Sequence, residues 1–376
     1  MPFLPFVKII VDECLNMKPL SSPTNRRTFL KESVASAAVI GLKSGGFAQG
    51  NASPIKVGQI GTAHAHASGK WQAMKRCEDF EVVGLAEVNE EHAHAVRAAS
   101  NVYADARWMS VESLLAVPDL RMIAVETHVR DLLAIATRCL QAGKHIHLDK
   151  PAGSDLALFK RVVDLARSHR LLIQMGYMFR YNPAFEFCFR AVREGWLGDI
   201  FAVEAVMGKK SGSDVRKELA EFDGGTMFEL GCHVIDAIVY MLGKPDQVHA
   251  FNRKSIAGDP LVDNQLAVLG YPHVAVTVRS ALIEVDGFAR RQLVVCGNKG
   301  TLEIRPLEPP SVRLTLEESV GGYKKGAQKV VFPGNGRYDK DFEDIARVMR
   351  GQRSFQFSYE HDLAVQETVL RASGMM

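Results

Sequence analysis

Four short apolar runs, each closing on a glycine or a polar residue, constrain this chain more than any other feature. They are Ile55–Ile60 before Gly61, Phe80–Ala86 before Glu87, 122–125 before Glu126-Thr127-His128, and His145–Leu148 before Asp149-Lys150-Pro151. Between them lie segments of helical period, such as 132–142, closed by Gly143. Strand–helix alternation of this kind predicts a doubly wound parallel sheet with helices on both faces. Such sheets bind ligands outside the carboxyl ends of their strands. Gly61, Glu87, Thr127, His128, Asp149 and Lys150 are therefore expected to line one crevice.

Further along, the period changes. Short β-rich runs recur at 201–206, 265–269, 274–282, 292–296, 301–304, 312–316 and 329–332, joined by Gly, Pro and Asn turns. They predict an open, mostly antiparallel sheet. From Tyr338 the pattern is helical again. The expected class is α/β plus α+β. The expected organisation is a leader at 1–50, a Rossmann nucleotide-binding domain at 55–175 and a sheet domain for substrate and oligomerisation at 176–335. Helices at 336–376 are expected to pack back on the first domain. A length of 376 residues suits two domains.

The first 50 residues carry six basic against three acidic side chains, which accounts for the whole net charge of +3. The remainder is formally neutral, so nothing asks for nucleic acid or an anionic membrane surface. The six cysteines are scattered, without a CxxC pair, which favours buried thiols over a zinc knuckle or disulfide framework. Near the start, Thr24-Asn25-Arg26-Arg27-Thr28-Phe29-Leu30-Lys31 resembles a twin-arginine export motif. The weakly apolar 33–42 that follows is too short for a stable membrane span. Ala48 or Ala52 could supply the small residue at cleavage, and Met17 could be the true start. These residues predict an exported, periplasmic or cell-envelope protein carried by the twin-arginine machinery.

Gly61 to Glu87 has the spacing of a dinucleotide site, in which an acidic residue follows the glycine turn by about 20 residues. Glu87 is expected to bind ribose hydroxyls and to repel a 2′-phosphate, favouring NAD over NADP. The turn Gly61-Thr62-Ala63-His64-Ala65-His66 departs from G-x-G-x-x-G. Ala63 still allows a close backbone approach to pyrophosphate, whereas His66 replaces a packing glycine. Three His-x-His pairs occur: His64/His66, His92/His94 and His145/His147. The last two read as a polar helix start and an alternating strand. His64/His66 lacks an evident completing carboxylate, so no metal is expected.

More specific signals follow in order. Ala142-Gly143-Lys144-His145 leads to Asp149-Lys150-Pro151. Then come Gly176-Tyr177-Met178-Phe179-Arg180-Tyr181-Asn182-Pro183, Gly195-Trp196-Leu197-Gly198-Asp199-Ile200, and Gly224-Gly225 through Glu229-Leu230-Gly231-Cys232-His233 to Asp236. The set closes with Asp341–Asp344 and His361–Ala364. Together they resemble the glucose–fructose oxidoreductase/inositol dehydrogenase (Gfo/Idh/MocA) family over residues 55–373. Glu229 stands where that family usually has aspartate. The resemblance implies catalytic roles for Lys150 and His233, with Glu229 orienting His233 or binding a substrate hydroxyl. His233 is the expected proton acceptor near neutral pH. Gly61, Ala63, His64, His66, Glu87, Thr127, His128 and Lys150 are the implied cofactor residues. Tyr177, Arg180 and Asp236 are the implied substrate residues, with a structural salt bridge the alternative for Arg180. Glu229, His233, Asp236 and Tyr240 share one helical stripe, which should face a cleft.

The function expected is NAD(H)-dependent hydride transfer at a hydroxyl-bearing carbon of a sugar, cyclitol or sugar derivative, by a homo-oligomer. Two alternatives use the same fold. One is an NAD-dependent glycosidase working by transient oxidation and elimination. The other is a non-catalytic sugar-binding relative.

Overall fold

The computed structural model describes residues 53–99, 102–221, 223–334 and 336–376; the leader and export motif lie outside them. The first sheet contains β1 (Ile55–Ile60), β2 (Phe80–Ala86), β3 (Trp108–Met109), β4 (Leu120–Val125), β5 (His145–Leu148) and β6 (Ile173–Met175). Its order is β3-β2-β1-β4-β5-β6, with every pairing parallel. The last four residues of β1 and of β4 are buried on both faces, because helices cover both sides. The order reverses between β1 and β4, which opens a crevice at their carboxyl ends. Gly61 makes this junction possible. Its φ is +97°, and a Cβ there would stand 2.5 Å from the Thr127 amide nitrogen.

The second sheet contains β7 (Ile200–Gly208), β8 (Gln247–Arg253), β9 (Asn264–Gly270), β10 (Ala275–Ala281), β11 (Gln292–Gly297), β12 (Gly300–Leu307), β13 (Pro310–Leu316) and β14 (Gly326–Val330). Its order is β14-β13-β12-β11-β7-β10-β9-β8. Only β7 and β10 pair in parallel; the rest are antiparallel. Burial alternates along β9 and β11, as expected for a sheet packed on one face. The final strand is Gly326–Val330 rather than 329–332: Val330 pairs with Val312, and Val331 turns to solvent.

A buried helical segment, Met227–Gly231 continuing as Cys232–Leu242, lies over β7 and β10. The helix Tyr359–Ala372 packs on Cys232–Leu242 and on Leu156–Ser168. It also ties down the loop after β5: Gln366 accepts from the Ala152 amide at 3.1 Å and donates to the Gly153 carbonyl at 2.6 Å. The helix Asp339–Met349 packs on Ala67–Arg76. The cysteines at 77, 139, 188, 232 and 296 are all unpaired.

Candidate active site

Lys150 follows β5 directly and its side chain is fully buried. Its ammonium donates to the Glu229 carboxylate at 2.7 Å and to the Glu229 carbonyl at 2.8 Å. Burial alone would lower its pKa, but Glu229 beside it raises it, so Lys150 stays an ammonium. Glu229 reaches it from a π-helical turn, Met227–Gly231, an insertion that re-aims side chains relative to an ordinary helix. The expected single stripe is thereby split. Of the two roles implied for Glu229, orienting His233 or binding a substrate hydroxyl, the first gives way to a bond with Lys150. Tyr240 points elsewhere, its hydroxyl accepting from Gln356 at 2.6 Å.

His233 is buried among aromatic rings: Phe179 at 5.8 Å, His66 at 6.0 Å and Tyr177 at 6.1 Å between centroids. Its Nδ1 is buried and has no hydrogen-bond partner among the described residues. Burial, and then the Lys150 charge, hold its pKa well below the ordinary histidine value. This favours the neutral imidazole, the form that can accept a proton, and makes it a weaker base than an exposed histidine. Lys150 and His233, 83 residues apart in the chain, are close enough for the Lys150 charge to disfavour protonation of His233.

Behind this pair lies a polar cluster that sequence reasoning missed. Lys70 is fully buried and contacts Glu126 and Asp149, each at 3.0 Å. Asp149 also accepts from the Lys150 amide at 2.7 Å, and meets His64 at 2.5 Å and His66 at 3.4 Å. Burial works against its charge, but His64 and Lys70 hold its carboxyl well below the usual range. Glu126 is pushed well above that range by burial and by Asp149. His64, His66 and Asp149 bring three ligand-type atoms within 4.8 Å, a carboxylate partner that the sequence did not reveal. The Lys70 ammonium on the same carboxylate already neutralises it and would repel a dication. The His145/His147 pair is structural. His147 bonds Gln174 at 2.8 Å, and burial pushes its pKa down to about 3; His145 accepts from the Leu172 amide.

Two expected substrate residues are instead part of the frame. Arg180 donates to Asp236 at 2.6 Å and to Asp362 at 2.6 Å, and His361 meets Asp236 at 3.0 Å. All three members of the Arg180–Asp236–Asp362 group are buried. The guanidinium lies over Tyr177 and Phe357. The alternative salt-bridge role of Arg180 is the one found, and Asp236 is spent on it. Tyr177 is buried beside His233.

At the other end, Glu87 accepts from the Thr62 amide and hydroxyl, each at 2.7 Å, and from the Val88 amide at 2.8 Å. A cavity of about 420 Å³ opens beside it, walled by Val88, Arg97, Trp108 and Met109. Ala63, His64 and His66 form the turn into the helix Ala67–Arg76, whose N-terminus no side chain caps. Thr127 and His128 stand at the end of β4, where the Thr127 hydroxyl donates to the His128 carbonyl. A tight turn without room for a Cβ, an uncapped helix start and a carboxylate beside a cavity fit a dinucleotide.

Comparison with known proteins agrees with this reading of the fold. Residues 55–177 match the family model of an NAD-binding Rossmann oxidoreductase domain. Residues 187–303 match the Gfo/Idh/MocA C-terminal domain, and the chain belongs to the Gfo/Idh/MocA oxidoreductase family. It is similar to the uncharacterized oxidoreductase YhhX of Escherichia coli K12, at 28% identity over 225 residues, 58% of this chain and 62% of that protein. A dTDP-3,4-didehydro-2,6-dideoxy-alpha-D-glucose 3-reductase of Streptomyces violaceoruber is 24% identical over 262 residues, 68% of this chain and 75% of that one. Among solved structures, a Desulfitobacterium hafniense protein described as an NADPH-dependent oxidoreductase superposes with a TM-score of 0.74 at 19% identity, covering 86% of this chain and 96% of that one. For several curated relatives the match spans only about half to three-fifths of their length.

Proposed function

We propose that the chain transfers hydride between a nicotinamide nucleotide and a hydroxyl-bearing carbon of a sugar or sugar derivative. One observation carries this: a buried ammonium fixed at a strand end stands near a buried imidazole of lowered pKa whose Nδ1 has no hydrogen-bond partner among the described residues. The dinucleotide supplies the hydride acceptor or donor when bound. Lys150 stabilises negative charge on the reacting oxygen, and Glu229 holds its ammonium in place. His233 accepts the hydroxyl proton in oxidation and returns it in reduction. Burial by Tyr177 and Phe179 excludes water from that proton's path. The Streptomyces relative, by its name a sugar 3-reductase, supports a carbohydrate substrate.

The experiment is to denature the native protein, identify any released pyridine nucleotide, and assay a panel of sugars, cyclitols and glycosides. Turnover coupled to NAD(P)H absorbance supports the reading. Release of an aglycone without net cofactor change would replace it with the glycosidase alternative. A protein that neither contains nor binds a pyridine nucleotide removes it.

NAD is proposed over NADP because Glu87 faces the adenosine-end cavity with its carboxylate. Glu87→Ala is expected to weaken NADH binding about tenfold, the loss of a hydrogen bond to a charged group. It should weaken NADPH binding less, as measured by fluorescence titration of both. Equal losses would remove the preference. Export is also proposed, supported by Arg26-Arg27 and the residues around them. Relocation to the cytoplasm on changing both arginines to lysine would test it.

A further inference from the structure

The mouth of the crevice on the sheet-domain side carries more positive than negative charge. Lys209 follows β7 immediately, where that strand passes beneath the π-helical turn bearing Glu229. Its half-buried ammonium has no hydrogen-bond or ion-pair partner among the described residues. Arg291 is buried and anchored next to it, its Nε donating to the Gly208 carbonyl at 3.0 Å. Arg337 reaches the same region, its guanidinium 2.9 Å from the Met178 sulfur and close enough to His233 to repel its protonation.

The negative groups nearby do not balance these. Glu229 is committed to Lys150 at 2.7 Å. Glu308 is shared, at 3.0 Å from Arg337 and 3.6 Å from Arg291. Glu284 is held by Arg290 at 2.9 Å and Arg279 at 3.4 Å, and Asp149 by Lys70. Glu229 is also the strongest electrostatic neighbour of Lys209 without bonding it directly, and Glu218 is the weakest. Four cations, Lys150, Lys209, Arg291 and Arg337, thus share two carboxylates, Glu229 and Glu308. Burial lowers the pKa of Lys209, and burial with the nearby Arg337 lowers that of Arg291 to about 10. A half-buried ammonium with no direct ion-pair partner is stabilised when an anion joins it.

We infer that the substrate is anionic, a sugar bearing a carboxylate or phosphate group that Lys209 binds directly with Arg291 and Arg337 behind it. This rests on the oxidoreductase reading and names the substrate class of the same site. A guanidinium held by a backbone carbonyl next to a free ammonium is a suitable receptor for either anion.

The test is calorimetric titration of the full chain preloaded with NADH, so that the cofactor's own phosphates are already in place. The probes are D-glucuronate, D-glucose 6-phosphate and neutral D-glucose. At least one charged sugar is expected to bind about tenfold tighter than glucose, with the advantage shrinking as salt rises. Which one does so distinguishes carboxylate from phosphate. Lys209→Met should narrow the gap to less than about threefold, whereas Lys209→Arg should keep it. Equal affinities, no binding of either charged sugar, or a gap that Lys209→Met leaves intact would overturn the proposal. So would a Lys209→Met variant that weakens NADH alone. Turnover of a neutral sugar without this preference would sink the anion proposal yet leave hydride transfer standing. A chain that cannot be loaded with a pyridine nucleotide would sink hydride transfer itself.

Discussion

Lys150→Ala is expected to lower kcat by about 10²–10⁴-fold, the usual range for losing a charged or proton-transferring group at a reacting oxygen. The ammonium is fully buried and donates twice to Glu229, so its position is fixed before substrate arrives. Glu229 retains some exposure and lies near Lys209, so it can rehydrate or re-pair in the variant. The fold should therefore survive, as circular dichroism would check, and Lys150→Met controls for volume. Wild-type turnover should also change little between about pH 6 and 8, where an exposed histidine titrates. Lys150 has its pKa raised and remains charged there, while His233 has its pKa lowered and remains neutral. In the oxidative direction the rate should fall only on acidification below the ordinary histidine value, as protonation of His233 removes the proton acceptor. Full turnover by Lys150→Ala, or a rate that halves near pH 6.5, would discard this mechanism.

Arg180→Met is expected to destabilise the protein by about 3–5 kcal/mol, because it strands two buried carboxylates. Arg180 touches both Asp236 and Asp362, and no side chain of the three is more than slightly accessible. The Arg180 charge, with His361, keeps the Asp236 carboxyl below its ordinary pKa despite burial. Asp362 is already pushed above its ordinary value by burial. Removing the guanidinium forces both to take up protons or rehydrate. The measurement is the urea midpoint of unfolding, and changing Asp236 and Asp362 to asparagine in the same variant should return part of the loss. A variant of unchanged stability with a raised KM would restore Arg180 to the substrate.

The parallel sheet is legible in the sequence because each inner strand is a short, mostly apolar run ending abruptly on a glycine or a polar residue. Both neighbours of such a strand are helices, so no alternation blurs the signal. β3 and β6 are too short to show it, and β8 is an edge strand whose side chains are mostly polar or half-exposed. The Lys150–His233 pairing is legible for a related reason: one residue marks a strand end and the other a motif. The groups around them are not. Lys70 sits in a helix of ordinary composition and looks like a surface lysine, yet it is buried on Asp149. Arg180 finds its two partners 56 and 182 residues away, distances at which no spacing rule operates. Lys209 and Arg291 likewise meet only because β7 passes close to the turn before β11.

The two hydrogen bonds from Gln366 to the loop behind Lys150 have a consequence for biosynthesis. That loop is made more than two hundred positions before the residue that secures it. A nascent polypeptide can wind its nucleotide-binding half early, but this brace on the loop waits until translation has passed position 366. Until then the loop behind the lysine lacks its amide tether, so a ribosome-bound intermediate should retain a looser crevice than the finished molecule.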